Sequence, residues 1–432
     1  MTASGPTQIF VLQGPLGGFF SHLSRRLRAS GYTVLDVCFN LGDRLWRGGD
    51  QLIWPKGGLD AWRDELTHLC RQHRPRCFIM FGDRRPVHIV ACQVANSLGI
   101  RVYSFEEGYL RPDYVTFEQG GNNARSTVAD LLPGFIEPPI APAPRPTGRS
   151  FGRMGRRAFV YQWALALGHP LAPKYVHHRK RKLVSEALLW TRALWRKIAS
   201  ERRDAAMADL LAREYPRRYF VVALQVHDDL QGVHHGAGWT QEALIATAIR
   251  SFARHAPAGT RLVVRYHPMD RGHVTYAPLV ARLSREARVS DRVALMMTGH
   301  APTILTHAAG FVGVNSTMAL SALHHHCPVF AFGDCFYRVP GLVADGRDEA
   351  ALDRFWSNPP LVDAALFSRF RALLVQETQI NGNYYLRRFY PAMAGAVIAR
   401  LIRDGIGARV VESPLAQADW LGEPETSSVP AE

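Results

Sequence analysis

The 432-residue chain has no run of about 18 apolar residues, so no segment is expected to cross a membrane as a helix. Its first residues, MTASGPTQIFVLQG, lack a basic stretch followed by an apolar one, so no signal peptide is expected. Cysteine is sparse. Cys38, Cys70, Cys77, Cys92, Cys327 and Cys335 are scattered without a CxxC spacing, which argues against a disulfide frame or a zinc site and suits reduced core residues of a cytosolic protein. There is no repeat at a solenoid period. The loop Gly14-Pro15-Leu16-Gly17-Gly18 misses the G-x-G-x-x-G spacing of a dinucleotide fingerprint, and its glycines more simply allow close backbone approach to a ligand or a facing domain. Acidic residues are short too: 37 Asp+Glu against 52 Lys+Arg leave a net charge of +15, which points to an anionic partner (nucleic acid, an anionic membrane face or a phosphorylated substrate).

What is present is an ordinary globular composition, 47% hydrophobic and 21% charged, on a chain long enough for two or three domains. Residues 8–135 alternate strand-like and helix-like segments, with strands at Ile9–Leu12, Tyr32–Phe39, Cys77–Phe81 and Arg101–Phe105. Helices fall between them, and this rhythm predicts a parallel sheet covered on both faces. Residues 133–149 form a Pro-rich linker. Residues 206–375 resume the alternation, with strands expected at 219–225, 261–266, 293–297, 310–314 and 328–332 and helices at 240–255, 274–287, 316–325 and 362–376. A terminal helix after a break at 379–385 could cross back to the first domain. The expected division is 1–145, an inserted basic helical segment 146–205, a second domain 206–380, a crossing helix 381–412, and a disordered tail 413–432.

Four stretches carry candidate chemistry. Tyr219 to Leu224 reads as a buried strand that runs into Gln225, His227, Asp228, Asp229 and Gln231. Ligands of open α/β sheets sit beyond the carboxyl ends of strands, so these two aspartates are candidates for nucleophilic or acid–base work; a solvated turn with an Asp helix cap is the plainer alternative. Glu106 and Glu107 end another strand, where two neighbouring carboxylates repel and one pKa can rise into a useful range; exposed turn glutamates are the alternative. His267-Pro268 ends a third strand, with Pro holding the imidazole at the sheet's carboxyl edge. Asn315-Ser316-Thr317 follows a fourth and opens a helix, a phosphate cradle or a bare N-cap. The run His324-His325-His326 lies roughly 13 Å further along that helix, its side chains diverge, and no metal site is expected there.

The segment 151–205 holds most of the excess positive charge, interleaved with Phe151, Phe159, Tyr161, Trp163, Tyr175, Trp190 and Trp195. Basic residues with aromatic partners at helical spacing suit an anionic membrane face, although an exposed solvated helix would share the pattern. His178-Arg179-Lys180-Arg181-Lys182 also passes for a nucleic-acid patch, but nothing else fits a nucleic-acid module, and no nucleic-acid partner is expected.

Taken together, the stretches resemble a family, the KpsS/LipB capsule-polysaccharide proteins. The matching residues are Leu12-Gln13-Gly14-Pro15 with Phe19-Phe20, Phe39-Asn40 with Gly42-Asp43, and Phe105 to Pro112 with Tyr114-Val115-Thr116. Tyr175 with His177-His178-Arg179, Leu224-Gln225-Val226 with Asp229 and Gln231, His267-Pro268, Val314 to Thr317 and Asn381 to Tyr384 continue the match over about residues 10–390. The resemblance implies a GT-B-like α/β fold: two Rossmann-type domains facing a cleft, with the basic helical segment inserted. It implies a β-Kdo transferase using CMP-Kdo as donor and a (lyso)phosphatidylglycerol-type acceptor, cytoplasmic and peripheral at an anionic inner-membrane surface, with other capsule assembly proteins as partners and no cofactor.

CMP-Kdo carries a β-linked sugar, so a β product means retention, and double displacement needs a nucleophile and an acid/base. The residues assigned are Asp229 as nucleophile with Asp228 in reserve, and Glu107 as acid/base with Glu106 in reserve. His267 with Pro268, and Asn315, Ser316 and Thr317, would face the departing phosphate. Gln225 and Gln231 would orient the aspartate or contact Kdo, and Arg111 would pair with the Kdo carboxylate. His177, His178, Arg179, Lys180, Arg181 and Lys182 would face the acceptor or the membrane. No DxD-type motif sits in a suitable loop, so no metal is expected. A non-catalytic capsule export or scaffold protein, and a GT-B enzyme using another nucleotide sugar, are the alternatives.

Overall fold

The structure, a computed structural model, describes residues 7–47, 51–136, 143–148, 150–176, 183–227 and 238–407, of which 183–187 in backbone only. The first unit runs β1 (Gln8–Val11), α1 (Phe19–Ala29), β2 (Thr33–Val37), α2 (Leu41–Arg44), β3 (Leu52–Ile53), α3 (Leu59–His73), β4 (Cys77–Phe81), α4 (Pro86–Leu98), β5 (Arg101–Glu107) and β6 (Tyr114–Gln119). Then come α5 (Phe151–Leu167) and α6 (Leu183–Glu214). The second unit holds β7 (Tyr219–Ala223), α7 (Gln241–His255), β8 (Arg261–Arg265), α8 (Ala277–Glu286), β9 (Val293–Met296), α9 (Ala301–Thr306), β10 (Gly310–Gly313), α10 (Met318–His324), β11 (Val329–Ala331), α11 (Glu349–Ser357) and α12 (Ala364–Glu377). The chain ends in β12 (Gln379–Asn381) and α13 (Tyr390–Arg403).

Each sheet is doubly wound. The second has the order β11-β10-β7-β8-β9, all parallel, and its strands are continuous apolar runs because helices cover both faces. The first has the order β12-β6-β5-β4-β1-β2-β3. Four of its five parallel strands match the expectation and β3 is an addition to it, while β6 pairs antiparallel to β5 and β12 antiparallel to β6. The expected break at 379–385 is therefore partly a strand, and it returns the chain to the first sheet. There α13 packs on α1, burying Met393, Ala394, Val397 and Leu401 against Phe19, Phe20, Leu23 and Leu27. The strand order reverses between β1 and β4 in one sheet and between β7 and β10 in the other, and such switch points open the crevice where α/β sheets bind ligands. The units meet beyond strand ends. Tyr109, two residues past β5, stacks on Phe336, five past β11, with ring centroids 4.0 Å apart. The architecture is GT-B-like, two Rossmann-type units with the helical pair α5–α6 inserted.

The insertion is fastened at both ends. Asp43, capped into α2 by Asn40, is buried, and its carboxylate accepts from Gln13 Nε2 at 2.9 Å to each oxygen, from Phe39 N at 3.0 Å, and from Asn40 Nδ2 at 3.1 Å. Tyr161 of α5 closes the network, donating to Asp43 Oδ1 at 3.3 Å, and Tyr175 O–H accepts from Gln13 Nε2 at 3.0 Å. Gly42 is required here: a Cβ would lie 2.6 Å from the Tyr161 ring. Burial pushes the Asp43 carboxyl up from its ordinary value, and the Phe39 N–H and Gln13 amide push it back. At the other end α6 joins the second unit. Asp204, 1% exposed, accepts from Met297 N and Thr298 N at 2.8 Å each. Arg196 donates to the Arg271 and Val274 carbonyls, and Arg192 to Thr275 Oγ1.

Candidate active site

The second unit's switch point is built from two amides. β7 and β10 are adjacent and parallel, so the residues following each come side by side. Gln225 Nε2 donates to Asn315 Oδ1 at 2.7 Å, and Gln225 N to Gln241 Oε1 at 2.8 Å. Both side chains are more than nine-tenths buried, yet among the described residues Gln225 Oε1 and Asn315 Nδ2 have no hydrogen-bond partner. An orphaned buried polar atom costs about 1–3 kcal/mol, so an acceptor and a donor left open side by side fit a ligand that supplies both.

Next to them lies a pair that sequence reasoning passed over. His227 donates its backbone N–H to Asp270 Oδ2 at 2.9 Å, and its Nδ1 meets Asp270 Oδ1 at 2.8 Å. Asp270 is fully buried and the His227 side chain is 36% exposed. The carboxylate therefore fixes ring and tautomer, with the proton on Nδ1 and Nε2 as the basic nitrogen. His273 stacks on His227 at 5.9 Å, and Trp190 of α6 meets His273 edge-on. His267 sits one turn before Asp270, where its Nδ1 accepts from Met269 N at 3.2 Å. That bond puts the ring proton on Nε2, and Pro268 starts the short turn that follows it.

Ser316 and Thr317 depart from expectation. The helix they precede starts at Met318 and has seven residues, and Thr317 makes no side-chain cap bond. Ser316 Oγ instead accepts from Met318 N at 3.3 Å, a local turn that competes with capping, while Tyr337 O–H donates to the Ser316 carbonyl.

On the first unit, Glu106 and Glu107 do not form the mutually repelling pair expected. They are successive strand residues, and such side chains take opposite faces. Glu106 Oε1 turns back to the Glu107 N–H at 3.1 Å, with Oε2 toward Gly82. Glu107 Oε1 accepts from Tyr385 O–H at 3.1 Å, and Tyr384 O–H donates to the Glu106 carbonyl at 2.8 Å. Burial and the Glu107 carboxylate both push the Tyr385 phenol well above its ordinary value, so it stays a donor. A Cβ on Gly108 would fall 2.0 Å from the Tyr114 carbonyl, so only glycine lets β5 turn into β6 here. Arg111 is exposed and gives Nε to the Gly108 carbonyl at 3.1 Å. The sequence assigns no role to Tyr384, the last residue of the matching stretch Asn381 to Tyr384, or to Tyr385 beside it; the signal available was the polar run Asn381 to Asn383 that precedes them.

The structure brings Gln225 to Asn315 and sets His267 beside the His227–Asp270 pair on the same sheet edge. Asp228, Asp229, Gln231, His177, His178, Arg179, Lys180, Arg181 and Lys182 lie outside the described residues, as does the expected tail 413–432. Among the described residues no three His, Cys, Asp or Glu side chains converge to hold a metal ion, and no helix is long and apolar enough to cross a membrane.

Three comparisons bear on this arrangement. The family model described as "Capsule polysaccharide biosynthesis protein" matches residues 76–385. The capsule polysaccharide export protein KpsS of Escherichia coli is 35% identical over 378 residues, 87% of this chain and 96% of that one. The capsule polysaccharide modification protein LipB of Neisseria meningitidis serogroup B is 33% identical over 392 residues, 89% of this chain and 93% of its own. Among solved structures, the KpsC β-Kdo 2,7 transferase of Thermosulfurimonas dismutans aligns with a TM-score of 0.44 at 14% identity, covering 92% of this chain and 99% of its own.

Proposed function

The chain belongs to the capsule polysaccharide biosynthesis protein family, and from that premise we propose that it is a retaining β-Kdo transferase, moving Kdo from CMP-Kdo to a phosphatidylglycerol-type lipid. The observation that carries the proposal is the half-satisfied amide pair Gln225–Asn315 at the second unit's switch point. A sugar nucleotide offers both the donor and the acceptor that this pair needs.

In the first step a carboxylate oxygen of Asp229 bonds to the anomeric carbon of Kdo. The bond from that carbon to the CMP phosphate breaks, and its electron pair leaves on the phosphate oxygen. His267, through Nε2–H, stabilises that charge as it grows. In the second step Glu107, oriented by Tyr385, takes the proton of the acceptor hydroxyl; the oxygen attacks the same carbon and Asp229 departs, giving net retention. His227, held by Asp270, lies one residue before the Asp228-Asp229 pair and serves the donor side. The enzyme works at the cytoplasmic face of the inner membrane, without metal.

Intact-protein mass spectrometry after exposure to CMP-Kdo tests this. Wild type and Asp228→Asn should gain one covalent Kdo residue, Glu107→Gln should accumulate it, and Asp229→Asn should gain none. An adduct that survives Asp229→Asn removes that nucleophile. No adduct in any variant, with no transfer to a phosphatidylglycerol analogue, would favour a non-catalytic export or scaffold role.

A further inference from the structure

Beside Glu107 the surface opens into a cleft of about 630 Å³, and Tyr385 forms part of its wall. Five arginines line it, Arg153, Arg156 and Arg157 from α5 and Arg387 and Arg388 from the turn before α13, with Trp46 between them and no acidic side chain. These groups lie more than 200 residues apart in the chain, so their convergence is made by the fold.

The arginines divide by what holds them. Arg157 donates to the Tyr384 carbonyl at 2.7 Å and to Tyr390 O–H at 3.2 Å, and Arg388 to the Thr147 carbonyl at 3.1 Å. Arg153, Arg156 and Arg387 make no hydrogen bond or ion pair among the described residues. Guanidinium groups are forked donors matched to phosphate oxygens, and several around one concavity make a site for a phosphate or phosphodiester.

The neighbouring surface indicates where that phosphate comes from. Phe159, Val160, Trp163 and Leu167 are 62%, 46%, 45% and 71% exposed. With Arg156 they recur at i, i+3, i+4, i+7 and i+11, so α5 shows one outward face of apolar groups that ends at the cleft. Tyr161 and Ala164 bury the opposite face. Apolar side chains edged by arginine are the pattern of a helix lying in a lipid interface, whereas a nucleic-acid surface has no use for an exposed aliphatic row.

We propose that this cleft binds the phosphate of an anionic lipid headgroup, with the outward face of α5 seated in the lipid surface, and so presents the lipid's hydroxyl to Glu107. The proposal rests on the transferase reading for the role of Glu107, but not for the binding itself.

The test is flotation of the full-length protein, without CMP-Kdo, on phosphatidylcholine vesicles with and without phosphatidylglycerol. Arg153→Gln/Arg156→Gln/Arg387→Gln should weaken partition onto anionic vesicles on the order of 100-fold, three surface charges each contributing to attraction. Phe159→Ser/Trp163→Ser should weaken it as well. The charge-matched control Arg250→Gln/Arg282→Gln/Arg285→Gln, on α7 and α8, should stay within about threefold of wild type. Undiminished binding by the arginine triple variant would overturn the site. Equal competition by soluble glycerophosphate, with Phe159→Ser/Trp163→Ser unaffected, would overturn the lipid source, as would binding of a single-stranded oligonucleotide in preference to vesicles. If the vesicle results stand while wild type transfers no Kdo, the transferase reading fails and the headgroup site does not.

Discussion

The carboxylate of Asp43 is the place where a single substitution should report on the whole insertion. Asp43→Ala removes the acceptor that Gln13, Phe39, Asn40 and Tyr161 share. Asn40 keeps Tyr161 O–H as an acceptor, and Gln13 keeps both tyrosine oxygens. The Phe39 N–H is left with nothing, while the Tyr161 hydroxyl keeps its bond to Tyr175. One buried orphaned donor costs about 1–3 kcal/mol, and the remaining donors lose a charged acceptor. Relief of the burial that raises the Asp43 carboxyl offsets part of this, so the net loss should be about 1–3 kcal/mol. Tyr161→Phe removes one hydroxyl but keeps the ring stacked on Trp46 at 6.0 Å, and should cost about 1 kcal/mol. The two side chains touch, so the double variant should be less destabilised than the sum, with a coupling of about 1 kcal/mol. Urea denaturation of the four proteins at fixed pH measures this, with the m-value checked for constancy. Limited proteolysis should show α5 cleaved faster in both single variants. A coupling below about 0.3 kcal/mol, or a loss under about 1 kcal/mol for Asp43→Ala, would refute the claim that this network holds α5 to the first unit.

Two further outcomes follow from buried carboxylates. Glu118, 5% exposed in β6, is pushed up to about 7 by burial, against hydrogen bonds from Ser126 and Tyr109. A raised folded-state pKa stabilises fully below the unfolded value near 4.3 and is lost as pH climbs through about 7. Wild type should therefore lose Tm between pH 5 and 8, and Glu118→Gln should flatten that slope; an unchanged slope counts against it. Asp270→Asn should leave the fold intact but free His227 from its clamp, lowering kcat for Kdo transfer on the order of 10- to 100-fold with the donor KM little changed. A rise in KM at constant kcat would make Asp270 a part of binding only.

The alternation of elements was legible because parallel strands covered on both faces must be apolar throughout, as Cys77–Phe81 and Tyr219–Ala223 are. β6 and β12 were not. The connection Gly108–Asp113 lacks the two-residue Asn-Gly or Asp-Gly signal of a tight hairpin, and three-residue β12 is a strand only because Tyr114 to Thr116 lie beside it. The site shows the same division. That Gln225, His267 and Asn315 end strands could be read from the chain. That Gln225 bonds to Asn315, and His227 to Asp270, depends on which strands are neighbours, and strand order is not written in any local pattern. The cap expected of Thr317 is missing because the N–H groups it would cap, those of Ala319 and Leu320, already donate to the Ser316 and Thr317 carbonyls.

Charge was the most misleading signal. The segment 151–205 looked like one basic surface, yet Arg192 and Arg196 point into the loop at 271–275, next to the His227–Asp270 pair. Among the described residues of the segment only the arginines of α5 turn to the cleft, and they are completed there by Arg387 and Arg388 from the far end of the chain. The insertion is thus pinned to the first unit through Tyr161 and Tyr175 and to the second through Asp204 and Arg196. Several motif residues of the first unit, Gln13, Asn40, Gly42 and Asp43, make that joint. A strap fastened to both units constrains how far they can part, and it carries the arginine cleft with it. Loosening the Asp43 joint should therefore weaken vesicle binding as well as stability, although Asp43 lines no part of the cleft. Such a loss without any change to the five arginines would show that α5 must be held in place, and not merely be charged, to bind.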